Sequence, residues 1–326
     1  MPQPARILVL THEDDPTADV VLHELNARGT SFVRCDPGDF PAFGLRLTAR
    51  LDPGGAGWDG RLIGAPREID LTALRAVYYR RPSEFRLPGG GTPSEEAFAR
   101  TQARHGFSGI LNGLPEVMWL NHPAAMADAR VKPHQLAVAT RCGLQVPATL
   151  ITNEPTAVGD FARSVGGRII TKSLATMVTV DDDHGSGVLY TAEVAEDLWS
   201  DPGISATAHL FQELVPGIDV RMTVVAGQFF AAEIHPTDPE GPIDIRAHHE
   251  QVSYRVVDVP ADVRRSVLDL LRELRLTFAA LDFRIVPGRG WVFLEANPNG
   301  QWAFIPELRA PIADAITDLL ETNADE

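Results

Sequence analysis

Cysteine, lysine and long apolar runs are all scarce in this chain, and each shortage narrows what it can be. Only Cys35 and Cys142 occur among 326 residues, with no CxxC and no Cys/His spacing. Neither a disulfide framework nor a structural zinc site is expected, and free thiols fit a reducing cytoplasm. Lys and Arg number 29 against 44 Asp and Glu, a net charge of −15. Nucleic acid and anionic membrane demand a basic surface, so a small molecule or a peptide is the expected partner. No apolar stretch reaches about 18 residues, and the N-terminus lacks a basic start and a cleavage site, so neither a membrane span nor export is expected.

What is present reads as an α/β protein of two or three domain-sized units. Arg6–Leu10 is a short apolar run, Ala18, Val21, Leu22 and Leu25 follow at helical spacing up to Gly29, and Ser31–Cys35 resumes as strand. This βαβ opening lacks the GxGxxG fingerprint, which argues against a dinucleotide site there. Weak strands fill 44–64, Ala76–Tyr79 runs into Arg80-Arg81-Pro82, and a helix is expected near 94–112. Trp119–Pro123 closes the first unit. Lys132-Pro133 then opens a helix, with proline in its first turn. Strands at Ala148–Thr152 and Arg168–Lys172 flank a helix at Pro155–Val165, and a polar, glycine-containing loop spans 181–187. From His209 strands dominate, followed by a helix at 261–275, a hairpin, and a final helix near 306–321.

The hairpin, Leu281–Val286 and Trp291–Asn299 around Pro287-Gly288-Arg289-Gly290, is the most informative segment. Symmetrical closure pairs Val286 with Trp291 and sets Asp282 opposite Glu295. With a side-chain period of two, Asn297 shares their face, while Leu281, Phe283 and Ile285 oppose Val292, Leu294 and Ala296 on the apolar one. Two carboxylates facing across a ladder destabilise a bare sheet, so a cation between them is expected, and hard oxygen ligands suit Mg²⁺ held with phosphates. The plain alternative is a solvated outer face.

The order of Lys132, Lys172, Gln212-Glu213-Leu214-Val215, Asp219, Arg221, Arg246, Asp282, Glu295 and Asn297 resembles the ATP-grasp ligases, above all in Glu295-Ala296-Asn297-Pro298-Asn299. The resemblance implies an ATP-grasp fold with an N-terminal α/β (pre-ATP-grasp) domain at 1–122, a central lobe at 123–206 and a sheet-rich C-terminal lobe at 207–326. It implies that Lys132 and Lys172 meet the α and β phosphates and that Gln212–Val215 receives adenine. Glu213 or Asp219 would take the ribose hydroxyls. Arg221 and Arg246 would meet the transferred phosphate and the substrate carboxylate, while Asp282, Glu295 and Asn297 hold Mg²⁺ on ATP. Each residue also has an ordinary reading as exposed lysine, buried strand or structural salt bridge, Arg221 with Asp219 and Arg246 with Asp244.

A narrower resemblance spans nearly the whole chain. Thr11–Asp19, Cys35–Pro41, Tyr78–Pro82, Trp119–Pro123, Leu144–Asn153 and Glu295–Trp302 are similar to the graspetide synthetases. These ATP-grasp enzymes mature ribosomally made peptides, so the resemblance implies macrocyclisation of a precursor peptide. A core Asp or Glu is phosphorylated by ATP and then captured by a Ser or Thr hydroxyl or a Lys amine. It also implies a leader segment docked separately and a homodimer. Arg80 and Arg81 would receive acidic core residues, or else balance nearby carboxylates as a basic strand end. His235, His248 and His249 are candidate bases by type only. Asp244-Ile245-Arg246 departs from an Asp-Trp-Arg triplet of many relatives, which puts local substrate contacts in doubt. A RimK-like or glutathione-synthetase-like amino-acid ligase and a non-catalytic nucleotide- or peptide-binding protein are the rival readings.

Overall fold

In this computed structural model, residues 5–55, 57–64, 68–175, 179–182, 185–188, 191–236 and 252–325 are described. In chain order the strands and helices are β1 (Ile7–Leu10), α1 (Pro16–Ala27), β2 (Phe32–Cys35), β3 (Arg46–Arg50), β4 (Asp59–Ile63), β5 (Glu68–Asp70), β6 (Ala76–Tyr79), α2 (Pro93–Asn112), β7 (Met118–Leu120), α3 (Pro123–Ala129) and α4 (Lys132–Arg141). Then come β8 (Thr149–Thr152), α5 (Pro155–Ser164), β9 (Ile169–Lys172), β10 (Thr179–Asp182), β11 (Gly185–Val188), β12 (Ala192–Glu193) and β13 (His209–Glu213). The chain ends with β14 (Ile218–Val225), β15 (Gln228–Pro236), β16 (Val252–Val256), α6 (Ala261–Glu273), β17 (Phe278–Val286), β18 (Gly290–Asn297) and α7 (Pro306–Asp325).

The first compact unit comprises residues 1–123 together with 301–326. Its parallel sheet has the order β2-β1-β6-β7, and β3, β4 and β5 form a separate antiparallel sheet. Helix α1 starts where the sequence predicts because Asp15 accepts from the N–H groups of Thr17 and Ala18, with Pro16 in the first turn. Its buried face, Ala18, Val21, Leu22 and Leu25, is the one expected from spacing. Helix α2 carries a capping box between Thr92 and Glu95, whose hydrogen bonds from Thr92 hold the Glu95 carboxyl below its usual range. Helix α7 belongs to this unit, packing on α1 and β6, whereas the sequence reading put it in a third lobe. Arg28 at the end of α1 reaches Asp314, Asp318 and Glu321 of α7 and explains that attachment. Both cysteines are free, and burial pushes the Cys35 thiol up to about 12.

The second unit spans residues 124–300. One sheet has the order β12-β9-β13-β8 and the other β16-β15-β14-β17-β18. Strand β13, expected to open the third lobe, instead completes the sheet of the second by pairing with β8 and β9. Of the expected polar loop 181–187, residues 181–182 and 185–187 lie in the paired strands β10 and β11, with Thr179 opposite Val188, and 183–184 lie outside the described residues. The β-branched residues Thr179, Val180 and Val188 supply the strand propensity. The core of the five-stranded sheet joins Val220, Met222, Val224, Leu281 and Phe283 to Val267, Leu270 and Leu271 of α6 and Leu136 and Ala139 of α4. Between β13 and β14, Gly217 holds φ +155, and a Cβ there would stand 2.5 Å from the Ile285 carbonyl oxygen. Only glycine fits that turn. Among the described residues no helix is long and apolar enough to cross a membrane.

Candidate functional site

Asp282 and Glu295 do face each other, by a different route from simple counting. The turn closes one residue tighter, with Val286 opposite Gly290 and Ile285 opposite Trp291, because Gly288 and Gly290 adopt φ of +76 and +85. A bulge at Leu294 then restores the register between Phe283 and Asp282. Between turn and bulge the faces expected for β18 are exchanged. Phe293, not Leu294, enters the core against Phe283, with ring centroids 5.5 Å apart, and Leu294 lines the pocket beside Glu295.

The expected cations are supplied by the chain. Arg221 on β14 is the cross-strand partner of Asp282, its Nε 2.8 Å from Oδ1. Lys132, the first residue of α4, holds its ammonium 3.9 Å from Glu295 Oε2 and donates to the Ala175 carbonyl at 3.3 Å. The same helix face carries Gln135, three residues on, which the sequence reading missed. Gln135 is 3% exposed; its Nε2 donates to the Ala296 carbonyl and its Oε1 accepts from the Ala296 N–H at 3.0 Å. Strand β18 is the edge of its sheet, and Gln135 satisfies its outward main-chain groups between Glu295 and Asn297. Asn297 lies two residues beyond Glu295 on the same face, and its Oδ1 accepts from the Asn299 N–H.

A pocket in this unit gathers Lys172, Gln212, Glu213, Leu214, Val215, Asp219, Arg221, Asp282 and Glu295, nine of the residues singled out from sequence, with Ile170, Ile234, Arg284 and Leu294. Lys132 and Lys172 are the only two lysines of the chain. One lines the pocket and the other pairs with a carboxylate that does. Asp219 is held by Arg284, with contacts of 2.7 and 3.2 Å, rather than by Arg221, and Arg284 also donates to the Val215 carbonyl at 2.6 Å. Glu213 accepts from Arg289 at 2.8 Å and from the Ala148 N–H at 3.1 Å. Gln212 is 1% exposed; its amide nitrogen donates to Thr149 Oγ1, and its Oε1 has no partner among the described residues.

These residues fit a magnesium nucleotide. The buried Gln212 oxygen awaits a donor, and the same pocket is lined by the apolar Ile170, Leu214 and Val215 and by the charged Lys172, Arg221, Asp282 and Glu295. Two carboxylates facing across the ladder, with an amide two residues beyond one of them, are the donor types magnesium takes when phosphate oxygens supply the remaining ligands. Among the described residues there is no group of three or more His, Cys, Asp or Glu that could hold a metal ion.

Other expected positions lie elsewhere. Arg80 is 1% exposed inside the first unit, its Nε 3.6 Å from equally buried Asp15 and its Nη2 donating to Gln301 at 2.8 Å. The open strand-end arginine expected there is Arg81, which is exposed. Asp244, Arg246, His248 and His249 lie outside the described residues, as do Asp183 and His184. His235 is on β15 one residue beyond the pocket-lining Ile234, so by alternation it shares the opposite face with Glu233. It bonds Glu233 at 2.7 Å, and that geometry removes it as a base for this site.

Comparison with known proteins agrees with this layout. Residues 6–127 match the family model of the MvdD pre-ATP grasp domain. A probable alpha-L-glutamate ligase of Sodalis glossinidius is 31% identical over 186 residues, 55% of this chain and 60% of that protein. The chain thus spans about three fifths of the length of that curated relative. The crystal structure of macrocyclase MdnC bound with precursor peptide MdnA from Microcystis aeruginosa superimposes with a TM-score of 0.82 at 27% identity, covering 97% of this chain and 99% of that one. The Chryseobacterium gregarium RiPP-associated ATP-grasp ligase in complex with ADP and a leader and core peptide gives 0.86 at 23% identity, covering 98% and 97%, which speaks for the fold.

Proposed function

We propose that this chain, which resembles the graspetide synthetases among the ATP-grasp ligases, closes rings in a ribosomally made precursor peptide. The observation that carries the nucleotide half of this reading is the facing pair Asp282 and Glu295, each with its own cation, at a pocket also lined by Gln212, whose buried amide oxygen is unsatisfied among the described residues. The likeness to a precursor-bound macrocyclase along almost the full chain supports the peptide half.

In the proposed reaction an Asp or Glu carboxylate oxygen of the core peptide attacks the γ-phosphorus of ATP and ADP leaves. The hydroxyl of a core Ser or Thr, or a Lys amine, then attacks the acyl carbon. Its proton is lost and phosphate departs, so the peptide sheds one water per link. Magnesium, held by Asp282, Glu295 and Asn297, would neutralise phosphate charge. Lys172 and Lys132 would present point charges to the non-transferred phosphates, and Arg221 a planar fork to the transferred one. Arg246 keeps its proposed role toward phosphate or substrate carboxylate. Gln212 to Val215 would take the purine and Glu213 or Asp219 the ribose. Arg81 is the proposed contact for acidic core residues, whereas the burial of Arg80 suits it to shaping the strand end. The partners proposed are a precursor with leader and core segments and a second copy of this chain, in the cytoplasm.

The test is the intact mass of an acidic, Thr-rich precursor peptide after incubation with the protein, ATP and Mg²⁺. Loss of one water per link supports the reading, and Asp282→Asn and Glu295→Gln should stop it while the fold persists. Mild base hydrolysis then separates esters from amides. The likeness to a glutamate ligase favours a second reading, addition of free amino acids to a carboxylate. ATP turnover that depends on an amino acid, with an unchanged peptide mass, would replace the first reading by the second.

A further inference from the structure

We propose that Thr149 sets the purine preference of the nucleotide pocket by holding the Gln212 amide in one orientation. The inference rests on the nucleotide reading above and adds a residue with no assigned role to it. Thr149 on β8 is the direct cross-strand partner of Gln212 on β13. Its hydroxyl lies 3.0 Å from the Pro147 carbonyl, which can only accept, so the one hydroxyl proton is committed there. Toward Gln212 the same oxygen can only accept. The amide nitrogen of Gln212 therefore occupies that side, at 2.9 Å, and the amide oxygen is turned away from Thr149.

That oxygen is buried and has no donor among the described residues, while its side chain lines the pocket with Ile170, Leu214 and Val215. A buried acceptor without a donor is a standing cost that a ligand donor removes. A 6-aminopurine brings such an N–H. A 6-oxopurine brings a second acceptor to the same place. Turning the Gln212 amide over to suit the oxo group would require Thr149 to abandon the Pro147 carbonyl. The chain of Pro147, Thr149 and Gln212 thus works as a selector for the amino group, independent of the phosphates.

The experiment measures dissociation constants of ATP and ITP on the full chain with Mg²⁺, by displacement of a fluorescent ATP analogue. The wild type should bind ATP about 10- to 100-fold more tightly than ITP. Thr149→Val, which keeps the shape and removes the hydroxyl, should narrow that ratio to about threefold, and Thr149→Ser should keep most of it. The ratio is read within one protein, so a smaller folded fraction leaves it unmoved. Equal binding of ATP and ITP by the wild type, or an unchanged ratio in Thr149→Val, would overturn the selector and leave the nucleotide site standing. Absence of binding by either nucleotide would overturn the nucleotide reading and the selector together.

Discussion

Arg221 and Asp282 face each other across β14 and β17, guanidinium to carboxylate at 2.8 Å. With Lys132 beside Glu295, this pair offsets the repulsion that two opposed carboxylates create. Arg221→Leu should remove the guanidinium from Asp282 and leave Lys132 beside Glu295. Taking the close ion-pair partner from a partly buried carboxylate costs about 1–3 kcal/mol. Magnesium should recover part of it, because a divalent cation can then take the place of the missing guanidinium. Thermal melts with and without Mg²⁺ check this: the variant's melting temperature should rise more than the wild type's. Equal shifts would mean that Asp282 is not available to metal in either protein.

Gln135 gives a separable prediction about positioning. It bonds both the N–H and the carbonyl of Ala296 and touches no proposed substrate atom. Gln135→Leu should keep the core packing while leaving two edge-strand groups unsatisfied, at a cost of about 2–4 kcal/mol. The residue between the proposed metal ligands would then be loosely held. The Mg²⁺ concentration needed for half-maximal nucleotide binding should rise several-fold, and excess Mg²⁺ should restore binding. A stability loss with an unmoved Mg²⁺ requirement would confine Gln135 to a structural role.

How these relationships could be read from sequence depends on what links the residues. Asp282 and Glu295 are joined by a short turn, so alternation reached the right pair even though tight closure at Gly290 and the bulge at Leu294 are two offsets that cancel. No turn joins β14 to β17, so counting could not show that Arg221 meets Asp282 or that Asp219 meets Arg284. Helix α4 was legible from Lys132-Pro133, but the use of Gln135 depends on an edge strand 161 residues away. The burial of Arg80 has the same origin, since one of its partners, Gln301, is 221 residues distant and arrives with the C-terminal segment. The signal that could have drawn attention to the site is compositional: an acidic chain with two lysines keeps both there.

Arg284 bonds both oxygens of Asp219 and the Val215 carbonyl, which ties the ribose candidate to the end of the purine segment. A carboxylate has about four lone-pair sites, so two remain for hydroxyls while the guanidinium fixes its orientation. Arg284→Met should therefore weaken ATP binding about tenfold and change kcat by less than about twofold, the pattern of lost uniform binding. Steady-state kinetics over an ATP series reads the split. Tighter ATP binding in the variant would show instead that Arg284 blocks Asp219.

Glu233 offers a test of the fold away from the pocket. Burial acts to raise its pKa, but hydrogen bonds from Arg255 and His235 outweigh burial and hold the carboxyl below its ordinary 4.5. A group depressed in the folded state binds fewer protons there than in the unfolded chain. Its contribution is therefore fully present above about pH 4.5 and is lost as pH falls through the lower folded value. Glu233→Gln removes the titration and weakens the bonds to Arg255 and His235. The stability gap between wild type and variant, from urea unfolding at a series of pH values, should be constant from pH about 7 to about 5 and shrink on further acidification. A gap that widened toward acid would mean that burial, and not Arg255 and His235, governs this carboxyl.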